Sequence, residues 1–255
     1  MKKLPVLHFA MQMSPTRENV HQIYIYDDIE EYGKFNWETW DYEESETSAK
    51  HFRELLQQIP EDHEIELYIN SNGGSVKEGI SIYNQLKRHG AKKTGYVDGV
   101  AHSIAFVILQ ACDHRIMGEG TSALIHEMWV CTCGNARELR EEADQLDVLM
   151  KSNRALFMKR AKNITEDQLR EMMEKETMLT PDMALEFGFI DEIQGREGTP
   201  AAGDPQQSKD IRDMREKLQN KNFKEALEEF EELTKPEHEE VKEVSTMDAF
   251  FNIFK

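Results

Sequence analysis

The chain has 255 residues, which is enough for one or two domains and a sizeable core. Its 49 acidic side chains outnumber 31 basic ones, and the formal net charge of −18 argues against binding to nucleic-acid phosphates. No apolar run approaches the roughly 20 residues that a membrane-spanning helix needs, so we expect neither membrane nor nucleic-acid partners.

The first part of the chain predicts an arm, a strand and a helix. Residues 1–19 lack the clean cleavage site of a signal peptide and are predicted to be an arm or edge strand, so we expect the protein in the cytoplasm. Residues 20–28 alternate as a strand does, whereas residues 34–47 are polar and aromatic and are predicted to be a loop. A helical pattern begins at Ser48 and ends before Pro60.

From residue 64 onward, short apolar strands alternate with amphipathic helices. Because strands separated by helices pair in parallel through helical crossovers, this order predicts the α/β class. Parallel sheets carry their sites at the carboxyl ends of the strands. The predicted strands are 64–70, 93–101, two short ones within 114–130, and 190–193, and the predicted helices are 77–90, 103–113, 136–162 and 165–176.

The composition changes after residue 194. Residues 195–207 are rich in Gly, Pro, Ala and Gln, which is typical of a linker. Residues 208–255 form a strongly acidic extension, predicted to be either a helix or disordered, whose apolar end either packs on the parent domain or docks on a partner. Residues 20–194 are therefore the predicted domain.

The cysteines give no sign of a disulfide framework or a metal site. There are three, Cys112, Cys131 and Cys133, and an odd count without framework spacing argues against paired disulfides. A structural zinc needs about four ligands, and no second pair accompanies Cys131 and Cys133. We therefore expect no metal and no cofactor.

Three features follow predicted strands. Gly73 and Gly74 follow strand 64–70, where paired glycines let backbone N–H groups approach a ligand oxygen. Ser103 stands between an apolar strand and an apolar helix, and His126 closes another strand. Each has a structural alternative: a plain turn, a helix-capping serine and a structural histidine. Together they supply the nucleophile, base and oxyanion donors that acyl transfer by a serine requires.

The stretch EKETMLTPD provides candidates for the acid that orients the histidine. It contains Glu174, Glu176 and Asp182, although acids ahead of a helix are ordinarily caps. A carboxylate that accepts a hydrogen bond from the imidazole fixes its tautomer, so each of the three is a candidate. His102, beside the serine, is predicted to point elsewhere.

Four stretches, in this order and spacing, resemble a known family. They are YINSNGGSVKEGISIYNQLKRHGAK, YVDGVAHSIAFVILQACDHRIM, ALIHEMW and ETMLTPDMALEFGFID. Over residues 20–194 the chain resembles the Clp-type proteolytic subunit family of serine peptidases. The IYIYDDI strand, the WDYEESETSAKHF segment and the GNARELREEADQLDVL helix make it most similar to the Clp-like head maturation proteases of tailed bacteriophages.

The resemblance implies a Clp-protease/crotonase-like α/β fold, in which repeated β-β-α units form a superhelical core with a long handle-type helix. It also implies roles. Ser103 matches the family's nucleophile, His126 its general base, and Glu176 stands where the family usually carries the triad aspartate. Gly74 and Ile104 match the two backbone N–H donors of the oxyanion hole. Because Glu is one methylene longer than Asp, the other two acids remain alternatives.

The implied function is that of a serine endopeptidase, acting without ATP on capsid or scaffold proteins during phage head maturation. It would work in the host cytoplasm or an assembling prohead, as a homo-oligomer with a ring as one form, and the helix predicted over 136–162 would contribute ring–ring contacts. The alternative is the proteolytic subunit of an ATP-dependent Clp-type protease served by an AAA+ unfoldase. A second alternative is a scaffold-like assembly protein with a weak catalytic site.

Overall fold

A computed structural model describes residues 9–195 of the chain. The chain divides into two units, Met1–Ala201 and Ala202–Lys255. The second unit lies outside the described residues, and so do residues 1–8 of the predicted arm and the predicted linker from residue 196 onward. The expectations for the acidic extension over 208–255 therefore stay predictions.

Residues 9–195 form ten strands and six helices. The strands are β1 (Phe9–Met13), β2 (Val20–Ile25), β3 (Tyr32–Asn36), β4 (Asp41–Glu44), β5 (Glu64–Ser71), β6 (Lys92–His102), β7 (His114–Met117), β8 (Ser122–Ile125), β9 (Thr177–Leu179) and β10 (Glu192–Ile193). The helices are α1 (Ala49–Leu56), α2 (Val76–Arg88), α3 (Ile104–Leu109), α4 (Ala136–Met158), α5 (Glu166–Glu174) and α6 (Pro181–Glu186). Within this part of the chain, no helix has both the length and the apolar character needed to cross a membrane.

An eight-stranded sheet organises the first unit. Its main path runs β1-β2-β5-β6-β7-β10, and β8 and β9 extend from β6. The pairings from β2 through β5, β6 and β7 to β10 are all parallel, which confirms the α/β prediction. β1 pairs antiparallel with β2, so part of the predicted arm is an edge strand.

The long strand β6 has two successive neighbours on the side opposite β5, and this fork positions the site. Residues 94–97 pair with β7, whereas residues 100–102 pair with β8. β9 then adds antiparallel to β8, with Ile125 opposite Thr177. The carboxyl ends of β5, β6 and β8 therefore meet the amino end of β9.

Helix α3, which follows β6, is fixed by burial. All six of its residues are buried, as expected for a helix that is hydrophobic all round. The ring of Phe106 in α3 lies 5.6 Å from that of Phe157 in α4 and 6.3 Å from that of Phe189, measured between centroids. Burial of such a ring contributes roughly 1.5–3 kcal/mol, so the start of α3 is a rigid platform.

The prediction of a loop over residues 34–47 is wrong. β3 and β4 form a separate two-stranded antiparallel sheet in this region. Phe35 lies opposite Tyr42, and aromatic pairs across two strands stabilise such a hairpin. The aromatic residues that suggested an irregular segment are therefore its stabilising contacts.

Three predicted helix ends are also wrong. α2 ends at Arg88, two residues before the predicted end, and His89 in extended backbone is its C-cap residue. α3 ends at Leu109 because the next three N–H groups bond to carbonyls three residues back, which tightens the chain out of the α-helix. α4 ends at Met158 rather than at Lys162. The N–H of Lys162 donates to the Phe187 carbonyl instead of to a carbonyl of the helix.

Candidate active site

Ser103 occupies the corner between β6 and α3. Its backbone has φ 53° and ψ −128°, and positive φ is a region that residues with a Cβ avoid. Ser103 is the N-cap residue of α3, yet its side chain accepts no capping hydrogen bond, so capping does not explain this serine. Its N–H donates to the Leu124 carbonyl at 2.8 Å, which ties the corner to β8. Backbone strain of about 1–3 kcal/mol per residue is concentrated at functional sites.

His126 lies directly beyond β8, the strand that anchors the Ser103 corner. His102 and Leu124 are opposite each other in the parallel pairing of β6 and β8, so the residues after both strands emerge at the same end. Ser103 and His126 line one cavity of about 900 Å³, and both are partly exposed. Within residues 9–195, no hydrogen bond joins the Ser103 hydroxyl to the His126 ring. The structure thus brings the two residues to one cavity without a hydrogen bond between them.

The pairing of β8 with β9 brings the chain at Glu176 near the chain at His126. Ile125 and Thr177 are the last opposite pair in the antiparallel pairing of β8 and β9, and His126 and Glu176 are the next residues beyond it, just outside the two strands. Glu176 is exposed and has φ 53°, another positive value for a residue with a Cβ. In the described part of the chain its carboxylate makes no hydrogen bond to the histidine.

The other two candidate acids, Glu174 and Asp182, lie in different surroundings. Glu174 lies at the end of α5, and its carboxylate is 3.7 Å from the Arg170 guanidinium in an i,i+4 ion pair. Asp182 lies in the first turn of α6, where a negative charge favours the helix. Register therefore favours Glu176 over both as the neighbour of His126.

The glycine loop between β5 and α2 lies against the Ser103 corner. Gly73 and Gly74 have φ 97° and 134°. A Cβ on Gly73 would lie 2.9 Å from the Ser103 Cβ and 3.3 Å from the Ile104 nitrogen. A Cβ on Gly74 would lie 2.3 Å from the Ile29 carbonyl oxygen, so neither position accommodates a side chain.

The backbone N–H groups of Gly74 and Ile104 are the two candidate oxyanion donors. Gly74 forms a parallel bridge with Ile29, in which Ile29 bonds to the residues on either side of it, so the N–H of Gly74 itself points away from Ile29. The N–H of Ile104 belongs to the first residue of α3, where no carbonyl of the helix can accept it. Donors placed in this way can stabilise a negative oxygen bonded to a carbon that the serine attacks.

His102 has a partner of its own. Its Nε2 lies 3.3 Å from the Ser122 hydroxyl. Burial lowers the pKa of His102, and the nearby His126 ring lowers it further. His102 thus contacts Ser122 of β8, whereas the sequence predicted only that it points away from Ser103.

Some residues at the site had not been singled out from the sequence. A smaller cavity of about 20 Å³ beside Ser103 is lined mostly by apolar side chains, and the buried Asn153 is a polar exception. Asn153 lies between the buried Met150 and Phe157 on α4. A polar residue within the apolar stripe of a helix is the sequence feature that could have identified it. Trp129, 79% exposed, lines the larger cavity.

The cysteines do not contribute to the site. All three are free, and Cys112 is buried, which raises the pKa of its thiol to about 12. Thiols with so high a pKa are unreactive. In residues 9–195, His, Cys, Asp and Glu side chains form no group of three or more that could hold a metal ion.

The sequence places this fold and site in a known family of peptidases. The family model described as Clp protease matches residues 42–197, and the chain belongs to the Clp protease family. It is similar to the ATP-dependent Clp protease proteolytic subunit of Deinococcus radiodurans, with 28% identity over 141 residues, which cover 54% of this chain and 69% of that protein. The resemblance read from the sequence is therefore confirmed at the level of the family.

Finer expectations stay predictions. They include the superhelical core, the handle-type function of α4, the likeness to head maturation proteases, and the assignments of Ser103, His126, Glu176, Gly74 and Ile104.

Proposed function

We propose that this chain is a serine endopeptidase whose nucleophile is Ser103. The observation that carries the proposal is the corner itself, a strained serine with no capping bond that shares a cavity with a histidine. Membership of the Clp protease family supports peptide hydrolysis as the reaction.

In this mechanism the Ser103 hydroxyl oxygen attacks the carbonyl carbon of a peptide bond while His126 takes its proton. The oxyanion that forms accepts hydrogen bonds from the N–H groups of Gly74 and Ile104. His126 then returns the proton to the leaving amine, the C–N bond breaks, and water releases the acyl group from Ser103 by the same route. Glu176 holds the imidazole in the required orientation.

The lack of a hydrogen bond between Ser103 and His126 is compatible with this mechanism. Catalytic hydrogen bonds are often long or misaligned in the absence of substrate and shorten in the complex. His126 precedes the irregular segment 127–135, which has no helix or strand to fix it. We expect substrate binding or self-association to bring the ring within hydrogen-bonding reach of the serine.

Labelling with a fluorophosphonate tests the proposal directly. This reagent forms a covalent bond only with an activated serine, so intact mass should show one adduct on the wild type and none on Ser103→Ala. A His126→Ala variant should label far more slowly because the serine loses its base. An adduct on Ser103→Ala would place the nucleophile elsewhere and refute the proposal.

A role as the proteolytic subunit of an ATP-dependent Clp-type protease is the second candidate. The similarity to the Deinococcus radiodurans subunit favours it over processing of phage capsid or scaffold proteins. If it holds, an AAA+ unfoldase with ATP should allow degradation of a tagged, stably folded protein. Cleavage of unfolded casein alone, unaffected by unfoldase and ATP, would instead favour the ATP-independent reading.

Self-association through α4 also belongs to this proposal. The buried side chains of α4 cluster near its end, and the earlier turns expose apolar residues: Leu139, Val148 and Leu149 are 44%, 66% and 51% exposed. Apolar side chains exposed along a helix in this number are often covered by a partner. Mass photometry should show an oligomer that Val148→Glu/Leu149→Glu disrupts, and a wild-type monomer would contradict this part.

A further inference from the structure

The hairpin of β3 and β4, residues 32–44 and here called the aromatic hairpin, exposes an unusual amount of aromatic surface. Phe35 is its centre, with ring centroids 4.9 Å from Trp37, 6.1 Å from Trp40 and 5.1 Å from Tyr42. Trp37 and Trp40 are nevertheless 74% and 76% exposed, and Tyr42 is 56% exposed. Contacts among the rings stabilise the hairpin but leave their outer surfaces in water, where such surfaces mark binding sites.

The charge around these rings specifies the kind of partner. Residues 27–46 contain nine acidic residues and one lysine. Some of the carboxylates are neutralised locally, as in the pairs of Glu31 with Lys77 and Glu44 with Lys50. Glu38, Asp41 and Glu43 form no ion pair within residues 9–195. Aromatic faces bordered by carboxylates that have no cationic partner attract lysine and arginine side chains, through cation–π contacts and charge, and repel acidic ones.

The base of the hairpin is hydrogen-bonded to the glycine loop of the site. The Ile29 N–H donates to the Gly73 carbonyl and the Ser75 N–H donates to the Ile29 carbonyl, each at 2.7 Å. The Lys77 ammonium at the start of α2 lies 2.7 Å from the Glu31 carboxylate, just before β3. Asp28 lines the same cavity as Ser103. The segment that leads into the hairpin is therefore fixed to the loop and helix that border the proposed cleavage centre.

We propose that the aromatic hairpin is a substrate-binding element that captures lysine- or arginine-bearing segments of the proteins this enzyme cleaves. The role in substrate binding rests on the serine peptidase function proposed above. Binding at the hairpin itself does not require turnover. It predicts that cleavage sites lie close in sequence to basic residues, because the bound segment and the scissile bond occupy neighbouring parts of one surface.

Binding to the full chain carrying Ser103→Ala tests this inference without cleavage. The probes are two fluorescent peptides of equal length, one alternating lysine with serine and the other glutamine with serine, compared by anisotropy at physiological ionic strength. There the Debye length is about 8 Å, so attraction to the distant acidic surface is largely screened. We expect the lysine peptide to bind at least about tenfold more tightly, and Trp37→Ala/Trp40→Ala to remove about that factor. Trp37→Phe/Trp40→Phe should retain part of it.

Matched charge variants separate the hairpin from the general acidity of the chain. Glu38→Gln/Asp41→Asn/Glu43→Gln keeps every ring and should weaken lysine-peptide binding several-fold. The control, Glu18→Gln/Glu54→Gln/Asp62→Asn, removes the same charge from exposed positions elsewhere and should change it by less than about twofold.

Two results would overturn the inference. One is equal affinity for the lysine and glutamine peptides, and the other is an equal loss of binding in the two triple variants. Fluorophosphonate labelling of the wild type reports on Ser103 separately, so a failure of the hairpin proposal and a failure of the peptidase proposal are distinguishable.

Discussion

Two serines stand at the starts of the helices that follow the neighbouring strands β5 and β6, and they differ in backbone and in hydrogen bonding. Ser75 has φ −60°, and its hydroxyl accepts the N–H of Glu78, as an ordinary N-cap does. Ser103 has φ 53° and caps nothing. The sequence pattern around them is alike, with a buried strand before and a helix after.

The contrast shows how the fold tolerates a costly conformation at one corner. α2 is amphipathic and partly exposed, so its first turn depends on a cap for its N–H groups. α3 is buried throughout, and the Ser103 N–H is fixed to Leu124. Packing thus stabilises α3 without help from the Ser103 hydroxyl, which is left available for another purpose.

The largest expected effect comes from replacing Ser103. Ser103→Ala should lower kcat for a peptide substrate by about 10⁴-fold or more, because the remaining site lacks a nucleophile. Ser103→Gly should be equally inactive yet more stable than Ser103→Ala by about 1 kcal/mol, because glycine adopts positive φ without a Cβ clash. Hydrolysis assays and urea unfolding measure the two quantities. A glycine variant less stable than the alanine variant would mean that the corner is not strained.

The next largest effect is expected at Gly74. Gly74→Ala should lower kcat by about 10²–10³-fold, because a Cβ 2.3 Å from the Ile29 oxygen displaces the Gly74 N–H from the oxyanion position. Gly120→Ala is the matched control, since Gly120 also has positive φ, at 77°, but a Cβ there meets nothing within 4 Å. It should lose about 1–2 kcal/mol of stability and retain its turnover. Equal losses of activity in both variants would argue against a specific donor at Gly74.

A smaller effect is expected from replacing Glu176, the proposed acid of the triad. Glu176→Gln should lower kcat by about 10- to 100-fold, because the amide no longer stabilises the protonated imidazole, and an exposed acid contributes less than a buried one. Glu174→Gln, which loses only the ion pair with Arg170, should change kcat by less than about twofold. The pH–rate profile of each variant provides the comparison. A larger loss with Glu174→Gln would reassign the third member of the triad.

Much of this fold was readable from the sequence because its periodicity is local. The strands that begin at Val20 and Glu64, and the helix capped by Ser48, follow from alternation, helical spacing and capping. The aromatic hairpin was not readable in this way, because its stability comes from pairs such as Phe35 with Tyr42 that form only when the chain turns back.

The residue types of the candidate site come from the sequence, whereas their arrangement comes from the structure. A serine at a helix start fits an N-cap equally well, and only the backbone angles separate Ser103 from Ser75. The choice of Glu176 over its neighbours depends on the register of β9 against β8, which is a tertiary property. The partner change along β6, from β7 to β8, is likewise fixed by packing between distant segments.

The smallest expected effect completes the comparison of the two serines. Ser75→Ala should lower the free energy of unfolding by about 1 kcal/mol, because α2 loses the acceptor for the Glu78 N–H, while kcat stays within a few-fold of the wild type. Ser75→Asp keeps an acceptor at the N-cap and should restore most of the stability. Ser103→Ala should give the reverse pattern, with turnover lost and little stability lost, since no capping bond is removed there. If Ser75→Ala instead abolished turnover in a folded protein, the Ser75 hydroxyl would take part in the reaction. The assignment of Ser75 to helix capping and of Ser103 to catalysis would then be wrong.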